Sequence, residues 1–362
     1  MFQTPRFKDA FALAMLSMLA MASTGGAEIL HVPDDESTIQ SAIDRAQDGD
    51  MVVVAAGTWN ETINLKGKDI VLRSADGPDL TVLDGSGLPG SIVYCVGGER
   101  RSTRIEGFTL RGGTGDSSIH GPGKTIGGAM YITGSSPLVN DCIFEANHTV
   151  LQGGAVYSAR EAHPSFQDCR FTQNESEKGG AVFSLLSNPR FENCRFDHNL
   201  ARFSGGAVFN SNRCAPKFIS CDFEKNLSLY NGGAIYDYES HGSLSRCTFS
   251  RNAASFRGGA IYSGYRSDAV LAECLFTTPS DDVAGRKGVV PASILQRGAC
   301  CLGEGCIIAE QVACIDAGGS FVGQGSVCED TITHCDVSVK GDLDGDGDVD
   351  RKDMAVLMML WK

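Results

Sequence analysis

The sequence predicts an all-β chain wound as a right-handed parallel β-helix, and three recurring features predict it. The first is Cys-x-Phe, at Cys142-Ile143-Phe144, Cys169-Arg170-Phe171, Cys194-Arg195-Phe196, Cys221-Asp222-Phe223, Cys247-Thr248-Phe249 and Cys274-Leu275-Phe276, in steps of 27, 25, 27, 26 and 27 residues. The second is an asparagine three residues after the Phe in five of the six copies: Asn147, Asn174, Asn199, Asn226 and Asn252. The third is Gly-Gly-Ala, beginning at Gly127, Gly153, Gly179, Gly205, Gly232 and Gly258. A unit this short cannot bury its own apolar face, so copies must stack into a solenoid.

Each position in the repeat has a physical reason. Cys and Phe share one parity and point inward, while the residues between them point outward. Stacking brings equivalent residues to the strand spacing of about 4.8 Å. The Asn column then forms a ladder at a bend, where side-chain amides satisfy one another and the turn backbone. Gly-Gly marks a second bend, where positive φ or close backbone approach is required.

The remaining segments follow in chain order. Arg6 and Lys8, the apolar run Ala10 to Ala22 and the small residues Ser23 to Ala27 have the order of a secretory signal peptide, residues 1–27. A thirteen-residue run is too short to span a bilayer, which needs about 20. An exported, secreted or surface protein that is not integral to a membrane is expected. Val32-Pro33-Asp34-Asp35 reads as an extended start, Thr38 to Ile43 as an amphipathic helix, and Asp48 to Val54 as a β run. Further β runs follow at Gly57 to Trp59, Gly67 to Leu72 and Thr81 to Gly85.

These first coils resemble the N-terminal cap of pectin-lyase-like right-handed β-helix proteins, in which a short helix plugs the open core. The Phe-x-x-Asn and Gly-Gly-Ala units resemble the repeats of chlamydial polymorphic outer-membrane proteins. Together the resemblances cover residues 28–279 and imply the fold, whereas fold alone does not fix an activity.

After a polar linker at 280–297 comes a cysteine-rich module, 298–335, with Cys300, Cys301, Cys306, Cys314, Cys328 and Cys335. In an exported chain these predict two or three disulfides, with zinc as the alternative. The tail, 341–362, places Asp342, Asp344, Asp346, Asp348, Asp350 and Asp353 around Gly347 in a twelve-residue loop. That spacing suits Ca²⁺, with five side-chain carboxylates and the Asp348 carbonyl as ligands. Met354 to Trp361 would follow as an apolar helix. With Asp at its twelfth position, the loop resembles a type I dockerin, which implies a cohesin-like or cell-envelope partner. Dockerins carry two such units, and one is present in this sequence.

The formal charge of −13 excludes nucleic acid as a partner, since phosphates demand a basic face. Candidate catalytic groups are Asp168, Arg170, Arg195, Asp197, Asp222 and Glu224, outward on neighbouring rungs. Acids with an Arg base suit polysaccharide lyase chemistry, and alternating charges equally suit a salt-bridge ladder. The column Tyr131, Tyr157, Phe183, Phe209, Tyr236 and Tyr262 is either a sugar-stacking platform or core. The insertion Gly112 to Thr125, with Asp116 and His120, is a candidate functional loop. The expected function is non-enzymatic adhesion or binding of a polysaccharide or cell-surface glycan, with the calcium tail for attachment. The alternative is a polysaccharide lyase or other carbohydrate-active enzyme.

Overall fold

The computed structural model describes residues 26–278 except 119, the strand Val283–Gly285, and the backbone of three strands, Arg297–Leu302, Gly305–Glu310 and Ser320–Phe321. The signal segment up to residue 25, the rest of the linker, the side chains of the cysteine module and the calcium loop lie outside the described residues. No helix among the described residues is long and apolar enough to cross a membrane.

Three parallel sheets run the length of the solenoid. The first has ten strands, from Ile29–Val32 to Val270–Ala272, which sets about ten turns. The second runs from Gly57–Trp59 to Leu275–Phe276, and the third from Ile63–Asn64 to Val283–Gly285, each with nine strands. A fourth sheet of four strands, Glu175–Lys178 to Ala253–Ala254, lies between the second and third along the chain.

The helix Ile39–Arg45 closes the N-terminal end. Thr38 caps it by accepting from the Ser41 N–H, and its buried Ile39, Ala42 and Ile43 join the core formed by Leu30, Val32 and Val52. Both helix ends are satisfied by charge. Glu61 accepts from the N–H groups of Ile39 and Gln40 at 2.9 and 3.0 Å. Lys68 donates to the carbonyls of Ile43, Asp44 and Ala46 at 2.7 to 2.8 Å.

The repeat columns stack as their periodicity predicts. Phe144, Phe171, Phe196, Phe223, Phe249 and Phe276 lie face to face, with ring centroids 4.6 to 4.8 Å apart. A second column, Phe166, Phe191 and Phe218, stacks beside them and makes edge contacts with the first. Cys142 to Cys274 are buried free thiols. Each of the six thiols of the Cys-x-Phe column donates to the carbonyl two residues earlier, as from Cys169 to Gln167 at 3.1 Å. Burial pushes the Cys142 thiol up to about 12. The column is therefore inert packing rather than a nucleophile.

The Asn ladder is complete in its hydrogen bonding. Asn174 donates from Nδ2 to the Phe144 carbonyl at 2.9 Å and to Asn199 Oδ1 at 3.0 Å. Its own N–H also donates to Asn199 Oδ1. Asn147, Asn199 and Asn226 repeat the pattern. At the Gly-Gly bend the two glycines serve different needs. The first has φ between 60° and 71°. A Cβ on the second would overlap the next rung's glycine carbonyl, as Gly154 would that of Gly180.

A second polar column lies inside the solenoid on the third sheet, where Ser158, Ser184, Asn210, Asp237 and Ser263 are in register and buried. Asn210 Nδ2 donates to Asp237 Oδ1 at 2.8 Å. Ser184 Oγ, Asn210 Oδ1 and Asp237 Oδ2 have no hydrogen-bond partner among the described residues.

Candidate functional site

The outward faces of the first and second sheets carry the polar chemistry. They meet along a corner made by single residues with left-handed φ: Asp141, Asp168, Asn193, Ser220, Arg246 and Glu273. Asp168 thus stands on the corner, not on the strand face where its parity with Arg170 would put it. There its carboxylate accepts from Asn193 Nδ2 at 3.2 Å.

The other predicted residues do share the second sheet's outer face. Arg170, Arg195 and Asp222 form one column, and Thr172, Asp197 and Glu224 the next. Arg170 grips Asp197 with two hydrogen bonds of 2.9 and 3.0 Å. Arg195 lies 3.5 Å from Asp197 and 2.6 Å from Glu224. Thr172 and His198, which the sequence reading did not single out, complete the shell around Asp197 at 3.0 Å each. The Asp197 side chain is 1% exposed. Burial alone would raise its carboxyl, but the hydrogen bonds from Arg170, His198 and Thr172 hold it below its ordinary value. A carboxylate so enclosed is an ionised structural anchor for its neighbours. The face is a salt-bridge ladder, with Asp222 exposed at one edge.

The aromatic column takes an intermediate position. Tyr131, Tyr157, Phe183 and Phe209 point away from the main core yet are 3 to 8% exposed, forming a second cluster with Ile126 and Ala159. Their rings stack on one another at 5.2 to 5.8 Å, so the faces that a sugar would need are already covered. The insertion also serves the fold, since Asp116 accepts from the Tyr94 hydroxyl at 2.8 Å and pairs by backbone with Ile126.

A concave site does exist, on the first sheet. A groove of about 680 Å³ runs across five rungs of its outer face. Its floor is one column of register partners: Arg104, Leu138, Ser165, Arg190 and Lys217. Gln167 and Glu192 stand in the neighbouring column, and Arg101 and His163 come from the turns that lead into the sheet. Glu192 pairs with Arg190 at 3.0 Å, and Arg104 reaches Glu106 at 3.5 Å. Arg101 and Lys217 have no ion pair among the described residues. The groove therefore presents four permanent cations against one lining carboxylate. Such a lining can hydrogen-bond hydroxyls and hold anionic groups.

This column escaped the sequence reading, although a signal for it was present. Leu138, Ser165, Arg190 and Lys217 each stand four residues before the Cys of their repeat. Aligning the copies on Cys places them in one outward file.

The family models that match the chain agree with this architecture. The family model described as right-handed beta helix region matches residues 101–233, and the Chlamydia polymorphic membrane protein repeat matches 246–264. No curated protein matches the chain. Among solved structures, pectin methylesterase from carrot is 13% identical, covering 74% of this chain and 89% of that one, with a TM-score of 0.44. The Yersinia enterocolitica enzyme is 13% identical over 72% and 95%, with a TM-score of 0.46. PemA from Erwinia chrysanthemi is 11% identical over 80% and 86%, with a TM-score of 0.39. The chain is a right-handed parallel β-helix, and its residues 246–264 are similar to the Chlamydia polymorphic membrane protein repeat.

Proposed function

We propose that this is an exported, non-enzymatic surface protein that binds a glycan along the outer face of its first sheet. The observation that carries the reading is the groove, which is open along the solenoid and lined from successive rungs by hydrogen-bonding side chains. The carboxylates of the second sheet are largely committed to arginines, which favours binding over acid–base chemistry. The expected result is retention of the purified protein on immobilised acidic or neutral polysaccharide, without new chain ends or unsaturated products. A Gln167→Trp variant, which fills the groove from an outward position, should lose retention. Equal retention of that variant, or release of unsaturated sugars by the parent, would overturn the reading.

The attachment function rests on the tail. Six carboxylates in a twelve-residue loop repel one another unless a cation takes them up, and their spacing around Gly347 is that of a calcium loop. Calorimetry of the full chain should show one Ca²⁺ bound, and Asp342→Ala combined with Asp353→Ala should abolish it. Unchanged Ca²⁺ affinity in that variant would exclude the loop as the site.

A further inference from the structure

The groove's charges are not spread evenly. Arg101 and Arg104 stand at one end, and Arg190 and Lys217 at the other. Between them the floor is uncharged, made by Leu138 and Ser165, with Gln167 alongside. Three register steps separate Arg104 from Arg190, and at about 4.8 Å a step the two cationic ends are about 14 Å apart.

Resting on the glycan-binding reading, we propose that the ligand is a linear acidic glycan in which charged and uncharged sugars alternate, lying parallel to the solenoid axis. Anionic groups sit at the two cationic ends, and an uncharged sugar lies over Leu138 and Ser165. Three physical points lead to this assignment. A chain with net charge −13 repels polyanions generally, so a local cationic groove selects the orientation in which an anion docks. A polymer charged at every residue would place anions over the uncharged floor, where no cation balances their lost hydration. Gln167 offers hydrogen bonds to hydroxyls and amides, and the half-buried Leu138 offers an apolar contact to a ring face.

The test uses full-length protein and three soluble probes of equal length. They are hyaluronan oligosaccharides, in which uronate and neutral amino sugar alternate, oligogalacturonate, charged on every sugar, and an uncharged xylan oligosaccharide. Hyaluronan should bind most tightly, and its affinity should fall with added salt. Arg104→Gln should weaken that binding roughly tenfold, and so should Arg190→Gln combined with Lys217→Gln, the loss expected when a charge-assisted contact is removed. All these positions are on the surface, and an unchanged thermal melt verifies the fold. Oligogalacturonate binding as tightly as hyaluronan would overturn the alternating pattern. Hyaluronan binding unchanged in both variants would overturn the charge assignment. Equal, salt-independent binding of xylan, blocked by Gln167→Trp, would overturn this proposal and leave the glycan-binding reading standing. Loss of all three ligands from the parent protein would remove both.

Discussion

Replacing Asn199 by alanine is expected to lower the unfolding free energy by about 3–5 kcal/mol, although no ligand or active group is touched. Asn199 Nδ2 donates to the Phe171 carbonyl and to Asn226 Oδ1, both at 2.9 Å, and its Oδ1 accepts from the backbone and side chain of Asn174. Alanine strands the Asn174 N–H in a fully buried site, at about 1–3 kcal/mol, removes the side-chain hydrogen bonds to the Phe171 carbonyl, Asn226 and Asn174 at about 1 kcal/mol each, and leaves a small void besides. Because each rung contacts only its neighbours, the damage should concentrate locally. Amide hydrogen exchange should accelerate at Asn174 and Asn226 far more than at Leu72, near the helical cap. Asp222→Ala, on the exposed face one rung away, should change stability by no more than about 0.5 kcal/mol. If the two variants lost equal stability, the ladder would be ornament rather than support.

The contrast between those two positions also explains what the sequence could reveal. The Asn, Cys, Phe and Gly-Gly columns were legible because each demands one residue type at every turn. A side-chain amide can donate to two acceptors at once while accepting from its stacked copy, and only glycine fits where a Cβ would strike the next rung's backbone. The groove was less legible because Arg104, Leu138, Ser165, Arg190 and Lys217 share a column and nothing else. An outward position imposes no common chemistry, so its function emerges only when register places unlike residues side by side. The corners were hidden for a related reason. They adopt left-handed φ at Asp168, Asn193, Ser220 and Arg246, where Asp and Asn are the familiar signal and Ser and Arg are not. Parity counting across such a corner misplaced Asp168, because the corner residue breaks the strand alternation. The buried acid at Asp237 was invisible as well: in sequence, the strand Ile235–Tyr238 differs little from its neighbours, and its partner Asn210 is 27 residues away.

That buried acid leads to a pH dependence of stability with a definite sign. Burial pushes the Asp237 carboxyl up to about 7 from an ordinary 3.8, and the hydrogen bond from Asn210 offsets only part of this. Well below pH 3.8 the group is protonated in both the folded and unfolded chain and contributes nothing to the balance. Between 3.8 and about 7 the unfolded chain releases the proton while the folded one retains it, so the folded state binds more protons and stability falls as pH rises. The slope is about 1.4 kcal/mol per unit, which accumulates to about 3–4 kcal/mol by neutral pH and stays level above it. Asp237→Asn removes the titration while keeping the size and an oxygen to accept from Asn210. Its amide also supplies a donor within a column where Ser184 Oγ and Asn210 Oδ1 stand without partners. Denaturant titrations should therefore find parent and variant similar near pH 4, and the variant more stable by about 3 kcal/mol at pH 8. A stability difference constant from pH 4 to pH 8 would mean that Asp237 is already ionised at low pH in the folded protein, and that a counter-charge inside the solenoid neutralises it.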